Sequence, residues 1–408
     1  MNKTTRLLGG LLIAAIATSC GTGGKNQPAQ TTDPLANSPV VGQYVQAGDN
    51  KVLSCDQKFL KDTISIPLSY FTEELEIVKL DNQDEALVGQ AGVTISENYI
   101  LIYGMPPAPF KLFDRKGNFL TNIGAVGNGP REYQFIIYAQ LDEQNNRIYL
   151  LPWNASQLLV YDLQGKVLDP VPFCNQASTS AFYVDPDKKT VSIVTLPMKG
   201  IPFVAWTQDL EGNPISAVEP GNLKCENMGS LVVSGFNIPD VFDINIMCIM
   251  PTYVDTLYQY DRMNNRLCPT FTLNFTNKED VPWHGYSEWP DHFTGYISDP
   301  PITKATELGT TTTPGEMHSY IVEKQTGKGS YFKLYNDYLG DIEIKKPHFV
   351  FNNGYYKANI EPGNLSSDIE LALKNPDLTD AIRKKLTDLQ ISIDENDNNY
   401  IMIARLKR

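Results

Sequence analysis

The chain has 408 residues, of which 42% are hydrophobic, 20% charged and 10% aromatic, and its formal net charge is −13. Such a composition can bury a large core, which excludes intrinsic disorder as the main state of the chain. Basic side chains number 34 against 47 acidic ones, and they form no block. This argues against a nucleic-acid partner, because phosphate contact needs clustered lysine and arginine.

The N-terminus has the pattern of a secretory signal. Lys3 and Arg6 precede an apolar run at residues 7–17, which is too short to span a bilayer, and the small residues at 17–19 precede Cys20. This order resembles a bacterial lipobox, in which the signal is removed and the cysteine is acylated. We expect residues 1–19 to be a signal peptide and Cys20 to carry a lipid anchor to the membrane. An ordinary signal peptide with a chance cysteine is the alternative.

Residues 20–50 are predicted to form a flexible tether. They are rich in glycine, glutamine, threonine, proline, alanine and serine and contain few large apolar side chains. The folded domain is therefore expected at residues 51–408.

Five cysteines follow Cys20, an odd number without a CxxC pair. The sequence predicts neither a disulfide framework nor a structural zinc site. Bridges from Cys225 to Cys248 or from Cys248 to Cys268 are left open.

An internal repeat determines the predicted fold. From Ile95 the chain reads as strand, turn, strand, hairpin turn and strand, with the hairpin turn at residues 116–118. Further hairpin turns occur at residues 163–166, 211–213, 263–265 and 326–329. Each copy spans roughly 40 to 60 residues, which is typical of a four-stranded propeller blade. A ring of blades must close to protect its last edge, so we expect strands at residues 75–81 and 399–407 to pair in one blade.

Three segments carry a resemblance to a known family: residues 66–81 (IPLSYFTEELEIVKLD), 112–133 (LFDRKGNFLTNIGAVGNGPREY) and 395–407 (ENDNNYIMIARLK). They resemble the six-bladed β-propeller lipoproteins of Bacteroidota, a family of largely unknown function. Arg131 stands where the family has glycine, and Asn399-Tyr400 stands where Asn-Pro is usual. The resemblance implies an all-β, six-bladed β-propeller anchored at the envelope alongside outer-membrane nutrient uptake, and it supplies no catalytic residues.

The residues after Cys20 bear on the side of the membrane. In lipoproteins of this bacterial group, an acidic cluster after the acylated cysteine favours display on the outer surface, and residues 21–25 (GTGGK) lack it. We therefore expect an outer-membrane lipoprotein whose domain faces the periplasm.

Residues 366–390 are the predicted helical region. Ser367 is expected to cap a first helix, and Pro376 separates it from a second helix through Ile382, Leu386 and Leu389. We expect a short helical insertion before the closing strand that covers the propeller, as the resemblance also implies. A helix that docks a partner is the alternative.

Two motifs resemble ligand sites but are better explained as turns. The glycine run at residues 124–130 lacks a following helix, which a phosphate site requires, so we expect an inter-blade turn. The acidic stretch at residues 394–399 lacks the central glycine of a calcium loop, which predicts a solvated turn.

The candidate binding site is the aromatic-rich segment at residues 281–296. We expect an insertion between blades on a propeller face, where aromatic rings can stack on sugars or dock peptides. A satellite hydrophobic cluster is the alternative, and the spacing of His284, Glu288 and His292 also allows a metal site. The predicted ligand-binding residues are Trp283, His284, Tyr286, Trp289, His292 and Tyr296.

The sequence contains no G-x-S-x-G or HExxH motif, and we predict no catalytic residue, metal or cofactor. It favours a non-catalytic binding or accessory module for a glycan or a peptide at the outer membrane. Two alternatives are a scaffold for an outer-membrane protein complex and a hydrolase or lyase. Such an enzyme would gather its acids and bases from distant blades.

Overall fold

The computed structural model describes residues 33–407 apart from short gaps at residues 90, 104–107, 130, 225–229, 236, 239–240, 249–255, 278–280, 307–308 and 314. The predicted signal peptide and Cys20 lie outside the described residues. Within the described residues, thirty strands form six blades arranged as a propeller and one separate hairpin. The predicted six-bladed, all-β fold is confirmed.

The first four strands run along the outside of three blades, and we call residues 42–79 the N-terminal strap. The strap consists of β1 (Gly42–Ala47), β2 (Asn50–Asp56), β3 (Thr63–Pro67), the short helix α1 (Leu68–Phe71) and β4 (Thr72–Lys79).

Blades 1 to 3 are four-stranded sheets whose strands follow one another in the chain. Blade 1 contains β5 (Gly92–Ile95), β6 (Tyr99–Tyr103), β7 (Phe110–Asp114) and β8 (Phe119–Ile123). Blade 2 contains β9 (Ile136–Asp142), β10 (Arg147–Pro152), β11 (Ala155–Tyr161) and β12 (Val171–Ala177). Blade 3 contains β13 (Ser180–Asp185), β14 (Thr190–Thr195), β15 (Ala205–Asp209) and β16 (Pro214–Val218).

Blades 4 to 6 each take strands from the strap. Blade 4 contains β17 (Ser230–Gly235), β18 (Asp243–Cys248), β19 (Leu257–Asp261) and β20 (Arg266–Asn274). Blade 5 begins with β21 (His284–Glu288) and β22 (His292–Ser298), and after a separate hairpin of β23 (Ile302–Thr306) and β24 (Gly309–Thr313) it continues with β25 (Met317–Glu323), β26 (Gly329–Asn336) and β27 (Ile342–Ile344). Blade 6 contains β28 (Phe351–Asn352), β29 (Tyr355–Ile360) and β30 (Tyr400–Leu406).

The strap joins these blades through their outer strands. β2 pairs in parallel with β20 of blade 4, and β1 then pairs with β2. β3 pairs in parallel with β26 of blade 5. β4 pairs antiparallel with β30, with Val78 opposite Ile401, so the N-terminal and C-terminal strands complete blade 6. The predicted closure of the ring is confirmed.

The helical insertion before β30 is confirmed, with a different first cap. It consists of α2 (Pro362–Leu373) and α3 (Asp380–Ser392). Pro362 begins α2, where the fixed backbone angle of proline suits the first turn, and Ser367 lies inside the helix with its hydroxyl bonded to the Gly363 carbonyl (2.9 Å). In the part of the chain that the structure describes, five shorter 3₁₀ helices occupy Gln57–Phe59, Asp84–Ala86, Gly221–Leu223, Asp337–Leu339 and Pro347–Phe349. Among the described helices, none is long and apolar enough to cross a membrane.

Asp397 fastens the closing strand to the strap. Its carboxylate pairs with the Lys79 ammonium (2.7 Å) and accepts hydrogen bonds from the side chains of Asn82 (2.8 Å) and Tyr400 (2.8 Å) and from the Asp394 N–H (2.9 Å). Burial alone would raise the pKa of Asp397, but the lysine and these donors outweigh it and hold the pKa well below its usual range. The acidic stretch is thus a turn, as predicted, and it holds the ring closure.

The predicted hairpin turns pack each blade against the outer strand of the blade before it. Gly117 has φ +87°, and a Cβ there would lie 2.1 Å from the Lys79 carbonyl oxygen. Gly165 repeats this contact one blade further on, where a Cβ would lie 2.6 Å from the Asn122 carbonyl oxygen. Only glycine combines a positive φ with such a close approach of two backbones.

The folded domain begins before the predicted residue 51, inside the stretch predicted to be a tether. Leu35 and Val41 are buried, and β1 pairs with β2 along its whole length. Strands β2 and β20, which β1 extends, are more than 200 residues apart in the chain. Ordered structure therefore begins ahead of the expected boundary, because distant strands supply the partners that the local composition does not reveal.

The remaining turn and cysteine expectations have mixed outcomes. Gly124 has φ +69° and begins the turn from β8 to β9, where no helix follows, so the inter-blade turn is confirmed.

The thiols of Cys55, Cys174 and Cys268 are unpaired, which excludes a bridge from Cys248 to Cys268. Cys225 lies outside the described residues.

Candidate functional site

The aromatic-rich segment forms the first two strands of blade 5. β21 and β22 pair antiparallel, with His284 opposite Ile297 and Glu288 opposite Phe293. The prediction of an inter-blade insertion was wrong, because the prolines at positions 282 and 290 border the strand β21 and do not interrupt a long loop.

The predicted ligand-binding side chains are therefore mostly in the core. Trp289 is fully buried, with its ring 4.7 Å from that of Phe71 and 4.6 Å from that of Phe351. The His284 Nδ1 atom lies 2.8 Å from the Pro282 carbonyl oxygen. Trp283 is half-buried, and the buried members of the set are His284, Tyr286, Trp289, His292 and Tyr296.

The structure does not form the metal site that the spacing of His284, Glu288 and His292 allowed. Glu288 is bonded to Lys324 and Gln259, and it is not grouped with His284 and His292 among the described residues whose ligand atoms approach one another. His284 and His292 lie far apart along the hairpin, because they stand at the beginnings of two antiparallel strands.

His292 instead lines a cavity of about 800 Å³ between the strap and blade 5, which we call the strap cleft. Tyr44 of β1 is 49% exposed, and Tyr70 of α1 is half-buried with its ring 6.0 Å from that of His292. Blade 5 supplies side chains from the β21–β22 turn and the start of β22, and from the end of β25 and the turn that follows it. They are Asp291, His292, Glu323 and Lys324.

A buried acidic pair lies next to the cleft. Lys324 of the cleft wall donates to Glu288 Oε1 (2.5 Å) and to the Pro290 carbonyl (2.9 Å), while Gln259 donates to Glu288 Oε2 (2.6 Å). Asp243 stands opposite Gln259 in the sheet, and its carboxyl is buried beside Glu288. The pair therefore places negative charge beside Lys324.

Burial and this acidic pair change the protonation of the surrounding groups. Burial, reinforced by the Glu288 carboxylate, raises the pKa of Asp243 well above its usual range, although the Lys324 ammonium acts in the opposite direction. Burial and the Glu288 carboxylate also raise the pKa of Tyr44. Tyr44 thus keeps a neutral phenol that can donate a hydrogen bond into the cleft.

A second group of polar side chains meets at the opposite end of β22 and β25. Asp299, Glu316 and His318 are exposed, and their potential ligand atoms lie within 4.8 Å of one another. Glu316 and His318 also line a cavity of about 720 Å³ on the outside of blade 5. The sequence analysis missed this group because 16 residues, including the β23–β24 hairpin, separate Asp299 from Glu316.

Tyr44 and Tyr70 were also missed. Tyr44 lies in the stretch assigned to the tether, and Tyr70 lies in a four-residue helix that interrupts two strands. The one available signal was the number of valine and tyrosine residues at positions 40–45 (VVGQYV), which favour strands.

Comparison with known proteins places the chain in a family. The sequence profile of DUF4934, a domain of unknown function, matches residues 50–405. The chain belongs to the DUF4934 family. No curated protein matches it.

Two solved structures are similar to this DUF4934 chain. A Bacteroides fragilis protein described as exported is 15% identical, with a TM-score of 0.56, and the match covers 86% of this chain and 99% of that one. A DUF4221 family member from Bacteroides vulgatus is 11% identical, with a TM-score of 0.47, and the match covers 82% of this chain and 97% of that one. The first match shows that the DUF4934 chain and the exported protein share a fold.

Proposed function

We propose that this DUF4934 protein is a non-catalytic binding module of the cell envelope and that the strap cleft takes a short oligosaccharide. The observation that carries the proposal is an open cavity of about 800 Å³ in which accessible tyrosine rings face charged side chains. Ligand sites commonly have volumes of about 300–1,000 Å³ and combine aromatic walls with a few polar groups.

The chemistry of the cleft walls favours a sugar. A pyranose ring has an apolar face that can stack on the exposed ring of Tyr44, and a rim of hydroxyls that needs both donors and acceptors. Asp291 and Glu323 supply acceptors at this rim, and Lys324 supplies a donor. The Glu288 carboxylate holds the Lys324 ammonium beside the cleft, so little side-chain entropy is lost on binding.

The binding experiment uses the mature chain and thermal unfolding with xylo-, manno-, cello- and chito-oligosaccharides. A ligand at about 100 times its dissociation constant adds about 2.7 kcal/mol to the free energy of unfolding, which raises the melting temperature measurably. Calorimetric titration of Tyr44→Ala with the active oligosaccharide should then show an affinity at least about tenfold weaker.

Phe135→Ala is the matched control. Phe135 is also a 49% exposed aromatic residue, but it precedes β9 in blade 2 and does not line the cleft. It should leave the affinity unchanged. Loss of affinity in both variants, or in neither, would show that the strap cleft is not the binding site. If none of the four oligosaccharide classes raises the melting temperature, the proposal that the ligand is a sugar is wrong.

The envelope location rests on the N-terminal sequence. The charged start, the apolar run and Cys20 support export and acylation, and the similar Bacteroides fragilis protein is described as exported. In cells fed a clickable palmitate, the native protein should incorporate the label and sediment with outer membranes, facing the periplasm. Cys20→Ser should lose both properties. A Cys20→Ser protein that keeps the label would contradict anchoring at this residue.

A further inference from the structure

Two strands of blade 5 bring an imidazole and two carboxylates together, away from the strap cleft. The cleft lies at the His292 end of β22, whereas this group lies just beyond Ser298 at the other end. At a rise of about 3.3 Å per residue, the two ends are about 20 Å apart. The group is therefore separate from the proposed sugar site.

The sheet itself positions the three side chains. β22 and β25 pair up to Ser298 opposite Met317, and the next backbone bond runs from the Asp299 N–H to the Glu316 carbonyl (2.8 Å). Glu316 and His318 are two residues apart on β25 and its approach, so their side chains share one face of the sheet. His318 Nε2 lies 3.1 Å from Asp299 Oδ1 across the strands.

We propose that Asp299, Glu316 and His318 bind one Zn²⁺ ion. Zinc accepts histidine nitrogen and carboxylate oxygen at about 2.0–2.2 Å, which places the ligand atoms of a tetrahedral site about 3.4 Å apart. The present separation of at most 4.8 Å closes to that spacing through small side-chain rotations. The imidazole favours zinc over magnesium or calcium, which prefer oxygen ligands only.

The surroundings of the three side chains let an ion enter, and an ion bound there would affect the β23–β24 hairpin. The three side chains are exposed, and Glu316 and His318 border the outer cavity of blade 5, so a water molecule can complete the coordination. The chain leaves blade 5 at Asp299 and returns at Glu316, with the β23–β24 hairpin between them. A zinc ion at this position would join the two arms of the hairpin at its base.

The test is calorimetric titration of the mature protein with ZnCl₂ after removal of any affinity tag. One ion per chain should bind with a dissociation constant of about 10 µM or below. His318→Ala and Asp299→Asn should each weaken binding at least about tenfold. His318 and Asp299 are exposed by 44% and 55% of their side-chain surface, so both variants should melt at the native temperature without zinc.

Glu343→Gln is the matched control. Glu343 lines the same outer cavity but pairs with Lys345 (3.0 Å) and is not part of the triad. It should bind zinc as the native protein does. The proposal is overturned if zinc does not bind, if His318→Ala binds it normally, or if Mg²⁺ binds as tightly as Zn²⁺, since an imidazole ligand would then play no part.

Discussion

Blades 1 to 3 and blades 4 to 6 are built differently. Each of the first three is a four-stranded sheet of consecutive strands, whereas each of the last three also pairs with a strand of the N-terminal strap. The interface between blades 1 and 2 buries side chains of those two blades, but the interface of blades 5 and 6 also buries Phe71 of the strap and Leu386 of the helical insertion. The strap therefore has two roles: it completes the ring of blades, and it forms one wall of the strap cleft.

The comparison shows where a repeat protein can place a binding site. Identical blades offer identical surfaces, and a specific site needs a departure from the repeat. Here the departures are the strap, the β23–β24 hairpin and the helical insertion, and they are concentrated on blades 4 to 6. The strap cleft and the Asp299–Glu316–His318 group both lie beside such departures.

The largest predicted effect comes from two buried tryptophans, one in each half. Trp289 of blade 5 and Trp206 of blade 3 are both fully buried, and substitution of either by alanine should lower the free energy of unfolding by about 3–5 kcal/mol. Trp289 also packs on Phe71 of the strap. Limited proteolysis of folded Trp289→Ala should therefore cut within residues 33–71, while Trp206→Ala should resist there. Equal cleavage of the two variants would mean that the strap does not depend on blade 5.

A second prediction concerns the ring closure. Asp397→Asn breaks the ion pair with Lys79 and weakens a nearly buried hydrogen-bond group, so urea unfolding at neutral pH should show a loss of about 2–4 kcal/mol. The exposed pair of Lys384 and Asp388 provides the control, and Asp388→Asn should change stability by less than about 0.5 kcal/mol.

The sign of the pH dependence follows from the low pKa of Asp397. Its folded-state pKa lies below the unfolded value of about 3.9, so its contribution is present above that pH and is lost as the pH falls further. The difference between native protein and Asp397→Asn should therefore shrink on acidification below about pH 4. A difference that stays constant would show that the carboxylate charge does not hold the closure.

Much of the fold could be predicted because its signals are local. The hairpin turns are visible in the sequence, since Gly117 and Gly165 occupy positions where the backbone needs a positive φ. The closing strands could be matched because each end of the chain carried a strand without a local partner. The helical insertion was visible as two runs of helical periodicity around Pro376.

The site could not be predicted in the same way, because its contacts are distant in sequence. Tyr44 and His292 meet only after the strap has crossed blades 4 and 5, and β3 pairs with β26 more than 260 residues later. The richness of residues 281–296 in aromatics was interpreted as a surface insertion, yet these side chains are buried in two cores. Trp289 lies at the interface of blades 5 and 6, and Tyr286 and Phe293 lie at the interface of blades 4 and 5. Composition alone does not distinguish an exposed aromatic loop from a buried strand.

A third prediction separates backbone conformation from packing at the closure. Gly117 and Gly48 both have positive φ, but a Cβ at Gly117 would collide with the Lys79 carbonyl of the strap, whereas one at Gly48 would meet nothing within 4 Å. Gly117→Ala should cost about 2–3 kcal/mol and Gly48→Ala about 1 kcal/mol in denaturant unfolding. Equal losses of stability in the two variants would show that the backbones of blade 1 and the strap can move apart at little energetic cost.

The smallest prediction concerns Asp243, whose pKa moves in the opposite direction to that of Asp397. Burial raises the folded-state pKa of Asp243, so its protonated form is compatible with the fold, and stability is lost as the pH rises from about 4 towards that raised value. Asp243→Asn removes this titration while keeping the shape of the side chain. At pH values above about 4, the stability of the variant relative to the native protein should therefore increase as the pH rises.

Urea unfolding at a series of pH values above about 4 measures this change. The neighbouring Glu288 explains why the protonation of Asp243 matters for the cleft. Asp243 and Glu288 lie close enough to interact, and Lys324 neutralises only one negative charge. A protonated Asp243 leaves Lys324 and Glu288 as a balanced pair beside the cleft, whereas an ionised Asp243 would add a second buried charge. A relative stability that does not change with pH would mean that Asp243 is ionised in the folded protein throughout this range, which would contradict a raised pKa.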